Sequence, residues 1–419
     1  MFTLPSSGAG ARRRATSLVW LAVASVACAR TAAGRDVIEL AARPIRPPEP
    51  KPRELEVAPP PSPETPADEL VAPEGAGAAV EASPSSPWTV WVGSSTAFQS
   101  MQGAKGATND YVTGYLDIVL DGRLWEGAMA QVEFEGSGGN GPDVELPGFV
   151  GLWNAWNANG GTYQSPDGFD RLLLAEAYVS LESAFDGWIV DVGKLATTNY
   201  IDTVRVANNS VGNFLAGAFT NSVAFRSPFR GGGFALTYVG SGDFDFRAVA
   251  VRPDNSGDDA TSHLFGAAQV SVYWGQDARP GAAYLYGWSN GGDGDRTGVG
   301  LNLDQDFGAH TTAFARAAWA DEVDAGGAVD TAVETSWVAG LECRGSLWER
   351  DNESCALALG LNSSHDPALE DEFVLEAYFK RVVNDYCEVS LHLHGIDNLG
   401  GDSTRDFITA LGLRVNIWL

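Results

Sequence analysis

The chain has 419 residues, with 27 Lys and Arg against 54 Asp and Glu, a formal net charge of -27. That excess of acid leaves no basic footprint for nucleic acid, whose binding is dominated by phosphate contacts. With 49 Gly, 10% aromatics and only 19% charged residues, the composition describes a β-rich chain with many turns, not a helical one.

At the N-terminus Arg12, Arg13 and Arg14 precede an apolar run from Leu18 to Ala29. The run is shorter than the ~20 residues a spanning helix needs. A basic start, a short apolar stretch and small residues make the layout of a secretory signal peptide, assigned to residues 1–33. Two processing routes fit: "SVAC" as a lipoprotein site with Cys28 acylated after cutting, or ordinary cleavage near Ala33. Residues 34–87 are rich in Pro, Ala and Glu and poor in aromatics. They cannot build a core and read as a disordered, extended tether, either a solvated linker or a contact to the cell wall.

From Trp88 onward short runs alternate apolar and polar residues, with turn residues between them. In "YVTGYLDIVLD" Val112, Leu116, Ile118 and Leu120 share one parity; in "FVLEAYFK" Phe373, Leu375, Ala377 and Phe379 do so. Sixteen such runs begin near residues 89, 111, 127, 172, 188, 233, 244, 264, 282, 297, 311, 334, 355, 373, 386 and 407. An even number of strands, short turns alternating with longer loops, and tryptophans near strand ends (Trp188, Trp274, Trp288, Trp319, Trp418) fit an outer-membrane barrel. The chain also ends inside an alternating run, "FITALGLRVNIWL". The fold class expected is therefore all-β: a 16-stranded antiparallel transmembrane β-barrel over residues 88–419. Alternation alone also suits a sandwich, so a soluble β-rich carbohydrate-binding or glycan-degrading secreted protein remains the alternative.

Residues 172–219 contain "AEAYVSL", a tight turn, "VDVGK", "YID", "ANN" and "FLAGAF", in that order. This ordered set resembles the carbohydrate-selective porins of the OprB type, and the resemblance extends more faintly from Trp88 to Leu419. It implies a passive outer-membrane channel for carbohydrates and other small hydrophilic solutes. It also suggests a role for Tyr200–Phe219, too apolar for an ordinary surface loop. As the constriction loop of a porin, this segment packs its apolar residues on the inner wall and leaves Asp202, Arg205, Asn208, Asn209 and Asn213 at the opening. Otherwise it is an external loop packed on its neighbours or on the next subunit of a homotrimer.

The lumen-facing parities gather Glu133, Glu135, Glu176, Glu182, Asp191, Asp245, Glu376 and Glu388 against Arg247, Arg316, Lys380 and Arg414. Such a wall disfavours anions. Trp153 and Trp156, among Asn residues, offer a sugar-stacking patch or simple loop packing. Straight alternation directs Lys194 to lipid; a bulge at Gly193 would turn it inward, where the family places a basic residue near the eyelet. Cys343 and Cys355 end adjacent strands on the lipid-facing parity, so they are candidates for a cross-strand disulfide, with free thiols as the other reading. His392 and His394 have a chelating spacing but no third ligand evident in the pattern, and read as polar wall residues. No nucleophile elbow, phosphate loop or zinc signature appears, so no catalytic residue, metal or cofactor is expected.

Overall fold

The computed structural model describes residues 88–103, 110–142, 146, 172–185, 187–209, 211–228, 230–240, 243–253, 264–275, 279–291, 295–323 and 332–419. The proposed signal peptide, the tether, Trp153 and Trp156 lie outside them.

Among the described residues the chain forms sixteen strands. They are β1 (Trp88–Gln102), β2 (Asp110–Trp125), β3 (Ala128–Asn140), β4 (Leu172–Phe185), β5 (Trp188–Ala196), β6 (Arg230–Val239), β7 (Phe244–Pro253) and β8 (Phe265–Trp274). The second half comprises β9 (Gly281–Asn290), β10 (Arg296–Phe307), β11 (Thr311–Ala320), β12 (Val333–Arg344), β13 (Glu353–Ser364), β14 (Glu372–Asn384), β15 (Cys387–Asp397) and β16 (Ile408–Trp418). Each pairs antiparallel with its sequence neighbours, and β1 pairs with β16 to close the barrel. The two ends of the barrel chain meet at this seam, where Val92 and Leu419 exchange backbone hydrogen bonds of 3.2 and 2.8 Å. Closure leaves no free sheet edge, and the expected sandwich alternative does not hold.

Alternation decides which face is which. Outward positions carry Val112, Leu116, Phe234, Leu285, Val299, Leu357, Leu359, Leu391, Leu393, Leu411 and Leu413, all exposed. Inward positions carry Gln99, Thr113, Glu133, Gln269, Asn302, Arg316, Glu376 and Arg414, all buried. A surface that is apolar outside and polar inside inverts the soluble pattern and suits lipid. One end of the barrel has the tight connections, at 126–127, 308–310 and 385–386, while successive strands are farther apart in sequence at the other. Aromatics ring the tight-turn end: Trp125, Phe244, Phe307 and Tyr386 are exposed there, and Trp188 packs on Tyr238 at 5.0 Å between ring centroids. Trp288 departs from the expected girdle. It points inward and is buried, because Phe225 stacks against it edge-on at 5.2 Å.

Candidate functional site

The connection between β5 and β6, called L3 below, does not run over the surface. It enters the barrel and crosses it, reaching from β5 to β16. A backbone taken inside must find partners for its polar groups, since each one left buried and unmatched is costly. Inward side chains of the strands supply them.

At the base, Glu176 accepts hydrogen bonds from the Ala196 N–H at 2.5 Å and from the Asn199 amide at 3.2 Å, while Thr197 donates to the Pro228 carbonyl at 2.6 Å and ties the two ends of L3 together. Tyr200 donates to Asp191 at 2.9 Å, and burial followed by the Asp191 charge pushes its hydroxyl well above the ordinary pKa. Further in, Asp202 adopts a left-handed backbone, φ 62°, and is completely buried. Its N–H donates to Gln269 of β8 at 2.9 Å, and its carboxylate accepts from Tyr286 of β9 and Asn302 of β10, both at 2.8 Å. Arg316 of β11 approaches the same carboxylate at 3.4 Å and donates to the carbonyls of Thr220 and Ala207.

At the tip, Glu376 of β14 accepts the N–H groups of Leu215 and Ala216, both at 2.8 Å. Lys380 donates to the Gly212 carbonyl, Arg414 to that of Asn213 and Asn416 to that of Val211, all at 2.8 Å. A four-residue helix, α1 (Gly217–Thr220), turns the chain back.

The apolar residues of L3 fill the space between these anchors. Phe214 and Phe219 pack with Phe314, Val338, Ala356, Ala358, Val374 and Tyr378; Ile201 and Phe225 pack with Ala235, Val249, Phe265, Tyr286 and Trp288. Room comes from small inward residues. A Cβ on Gly300 would lie 2.1 Å from the Tyr286 ring, and one on Gly298 would lie 2.1 Å from Trp288.

The polar edge of L3 stays open. Arg205 is exposed, and Asn208, Asn209, Val211, Gly212 and Asn213 are half-buried, while most of the segment around them is covered. Arg205 meets Asp304 at 2.6 Å and Asp306 at 3.2 Å on β10. Burial alone would lower its pKa, but the two carboxylates outweigh that and raise it, so it keeps its charge. The opposite part of the wall is acidic: Asp117 pairs in register with Glu135, and Glu133 with Glu176. Arg230 bridges to Glu135.

Several expectations need correction. Asp202 is not at an opening but is the buried hub that fastens L3, because five donors converge on its carboxylate from L3 itself and from β9, β10 and β11. Glu176, Asp191, Arg316 and Glu376 are on the inner wall but covered, their charges spent on the loop. Arg247 lies near the tight-turn end of β7, paired with Asp245 at 2.9 Å. Glu182 is exposed. No bulge turns Lys194 inward. The β5–β6 register runs through Gly193 without a shift, so Lys194 keeps the outward parity of Val192 and donates to the Leu174 carbonyl at 2.7 Å. Cys343 and Cys355 are direct register partners across β12 and β13, yet both stand as free thiols, not as the disulfide expected. Their parity was legible from sequence, but the bonding state was not.

Sequence reasoning missed Asp304, Asp306, Tyr286, Asn302 and Gln269, which hold L3. The signal lay in small residues at inward positions facing aromatics, such as Gly298 and Gly300, which mark where a loop is seated.

No family model and no curated protein matches the sequence. Solved structures do match the coordinates. OprB of Pseudomonas putida, in its high-pH structure, is 12% identical, with 79% of this chain and 94% of that chain covered and a TM-score of 0.65. A mutant of the Rh. blastica porin is 13% identical, over 79% of this chain and all of the other, at a TM-score of 0.50. The fold is that of a porin. A loop L8 deletion mutant of OmpT, an outer membrane protein of Vibrio cholerae, shares the porin architecture at 9% identity and a TM-score of 0.52, covering 80% of this chain and 100% of that one.

Proposed function

We propose that this chain is an outer-membrane porin of a Gram-negative bacterium: a passive diffusion channel, not an enzyme, for carbohydrates and other small hydrophilic solutes. The observation that carries this reading is a closed barrel, apolar outside and polar inside, with a connecting loop folded into its interior. L3 acts as the constriction, with Arg205, Asn208, Asn209, Asn213 and Lys380 at its solvent edge. Amide and guanidinium groups at such an edge supply paired donors and acceptors suited to sugar hydroxyls. Trp153 and Trp156 would add stacking faces at the mouth. Acid predominates along the inner wall, and the bases Arg316 and Arg414 are occupied by L3, so the channel favours cations over anions. Export through the 1–33 signal, a homotrimeric assembly and wall contact through the 34–87 tether belong to the same reading.

A second reading rests on the close packing of L3: with Arg316, Glu376 and Arg414 all buried beneath it, a plugged barrel of structural role would insert without conducting. Reconstitution in planar bilayers, with conductance measured with and without added sugars, separates the two. Stepwise cation-preferring currents reduced by a sugar are expected. Insertion without current would support the plug, and anion-selective currents indifferent to every sugar would remove the carbohydrate assignment.

A further inference from the structure

His392 and His394 face inward from β15, and Glu376 of β14 is the register partner of His394. One ligand atom from each of the three lies within 4.8 Å of the others, and all three residues are buried. His392 Nδ1 is 2.7 Å from one oxygen of Glu376, and His394 Nδ1 is 3.7 Å from the other. The imidazole of His392 is matched on both sides, since its Nε2 lies 2.7 Å from the Ser390 hydroxyl. His394 is not: neither ring nitrogen has a hydrogen-bond partner, although the residue is 1% exposed. A buried ring in that state has given up its hydrogen bonds to water with no hydrogen bond in exchange.

We propose that Glu376, His392 and His394 form a site for one divalent transition-metal ion of the zinc class. Two imidazoles and a carboxylate are the donor set preferred by zinc, copper and nickel over magnesium or calcium. Bonds of about 2.0–2.2 Å on a tetrahedron set neighbouring ligand atoms roughly 3.4 Å apart; here one ligand atom from each residue falls within 4.8 Å of the others, so closing on an ion asks only for small side-chain shifts. His392 would ligate through Nδ1 while its Nε2–H donates to Ser390, an outer-shell bond of the kind that orients metal-bound histidines. Glu376 keeps lone pairs for the ion while accepting Leu215 and Ala216, so a bound ion would stiffen the carboxylate on which the tip of L3 hangs. Lys380 and Arg414, the register partners of Ser390 on either side, oppose further positive charge and keep the affinity below that of a four-ligand structural site. L3 covers the site, so loading and release are slow.

The test uses full-length protein in detergent, with His263→Gln, His310→Gln and His365→Gln so that other imidazoles cannot contribute. After dialysis against a chelator, the protein is equilibrated with Zn²⁺, desalted and its metal counted; Co²⁺ serves as a spectroscopic probe. About one Zn²⁺ per chain and the visible bands of tetrahedral Co²⁺ are expected. His394→Ala should weaken binding tenfold or more, on the order of a lost ligand, and His394→Gln should do the same with the ring's volume nearly kept. Heat-modifiable gel mobility reports that each barrel has folded. Failure to retain Zn²⁺ in the folded parent, or equal retention by both His394 variants, overturns the site. The readout is metal, not current, so its failure is distinct from failure of the channel reading.

Discussion

Arg316 on β11 and Asp202 in L3 lie 3.4 Å apart, with side chains 1% and 0% exposed. No solvent reaches either charge, so each depends on its neighbours. Removing one partner of such a buried pair costs about 3–5 kcal/mol, because the remaining charge is stranded. Here the barrel ladder does not depend on the pair; the seating of L3 does. Arg316→Ala should release the loop, raising single-channel conductance and open-channel noise and exposing L3 to added protease, with the folded barrel still formed. If L3 stays protected and the conductance unchanged, the pair is not its fastening.

Arg205 tests the solvent edge instead of the anchor. Its guanidinium offsets Asp304 and Asp306, which otherwise would leave two uncompensated acids beside the opening. Arg205→Gln should shift the reversal potential in a potassium chloride gradient toward the potassium limit, and Asp304→Asn with Asp306→Asn should shift it the other way. The effect of Arg205→Gln should shrink at high salt, since the Arg205 side chain is 28% exposed while Asp304 and Asp306 are buried. A reversal potential indifferent to both changes would take this edge out of the ion path.

Gly300 controls L3 at one remove. Tyr286 lies across it, with the position of an added Cβ only 2.1 Å from a ring carbon, and the same ring carries the hydroxyl that holds Asp202 at 2.8 Å. Gly300→Ala should push the ring off and cost about 1–3 kcal/mol by overpacking. Tyr286→Phe keeps the ring and loses only the hydrogen bond, about 1 kcal/mol. Both should loosen L3 in the protease assay, Gly300→Ala more than Tyr286→Phe; the reverse order would mean that the hydroxyl, not the ring position, governs the loop.

The barrel was legible because its signal repeats. Every strand begins within three residues of the position expected from alternation alone, since a period of two cannot slip without turning Leu391 or Leu413 into water. The inner site was legible only in part. The apolar content of Tyr200–Phe219 announced burial, yet whether a polar residue such as Asp202 ends at the edge or at the hub depends on contacts from β8 to β11, which lie 67 to 114 residues away in sequence. Parity could place His392 and His394 on one face but not the carboxylate of Glu376 against them. For Lys194, a glycine suggested a bulge, but the ladder on either side of Gly193 is unbroken.

Leu391 and Leu413 face each other on the outer surface near the middle of the β15–β16 ladder, and both are exposed. The environment of that surface decides what a substitution there does. In water, Leu391→Arg would be close to neutral or favourable; against hydrocarbon it should cost about 2–4 kcal/mol, as for Arg near the midplane of a lipid-facing barrel. Leu391→Phe sets the complementary condition. In a dry protein core the extra volume would strain its neighbours by about 1–3 kcal/mol, whereas lipid chains move aside and leave stability nearly unchanged. Denaturant titration of the protein folded into phosphatidylcholine vesicles should therefore find Leu391→Arg strongly destabilised and Leu391→Phe close to the parent. A stable Arg variant paired with a strained Phe variant would mean that this face does not meet lipid.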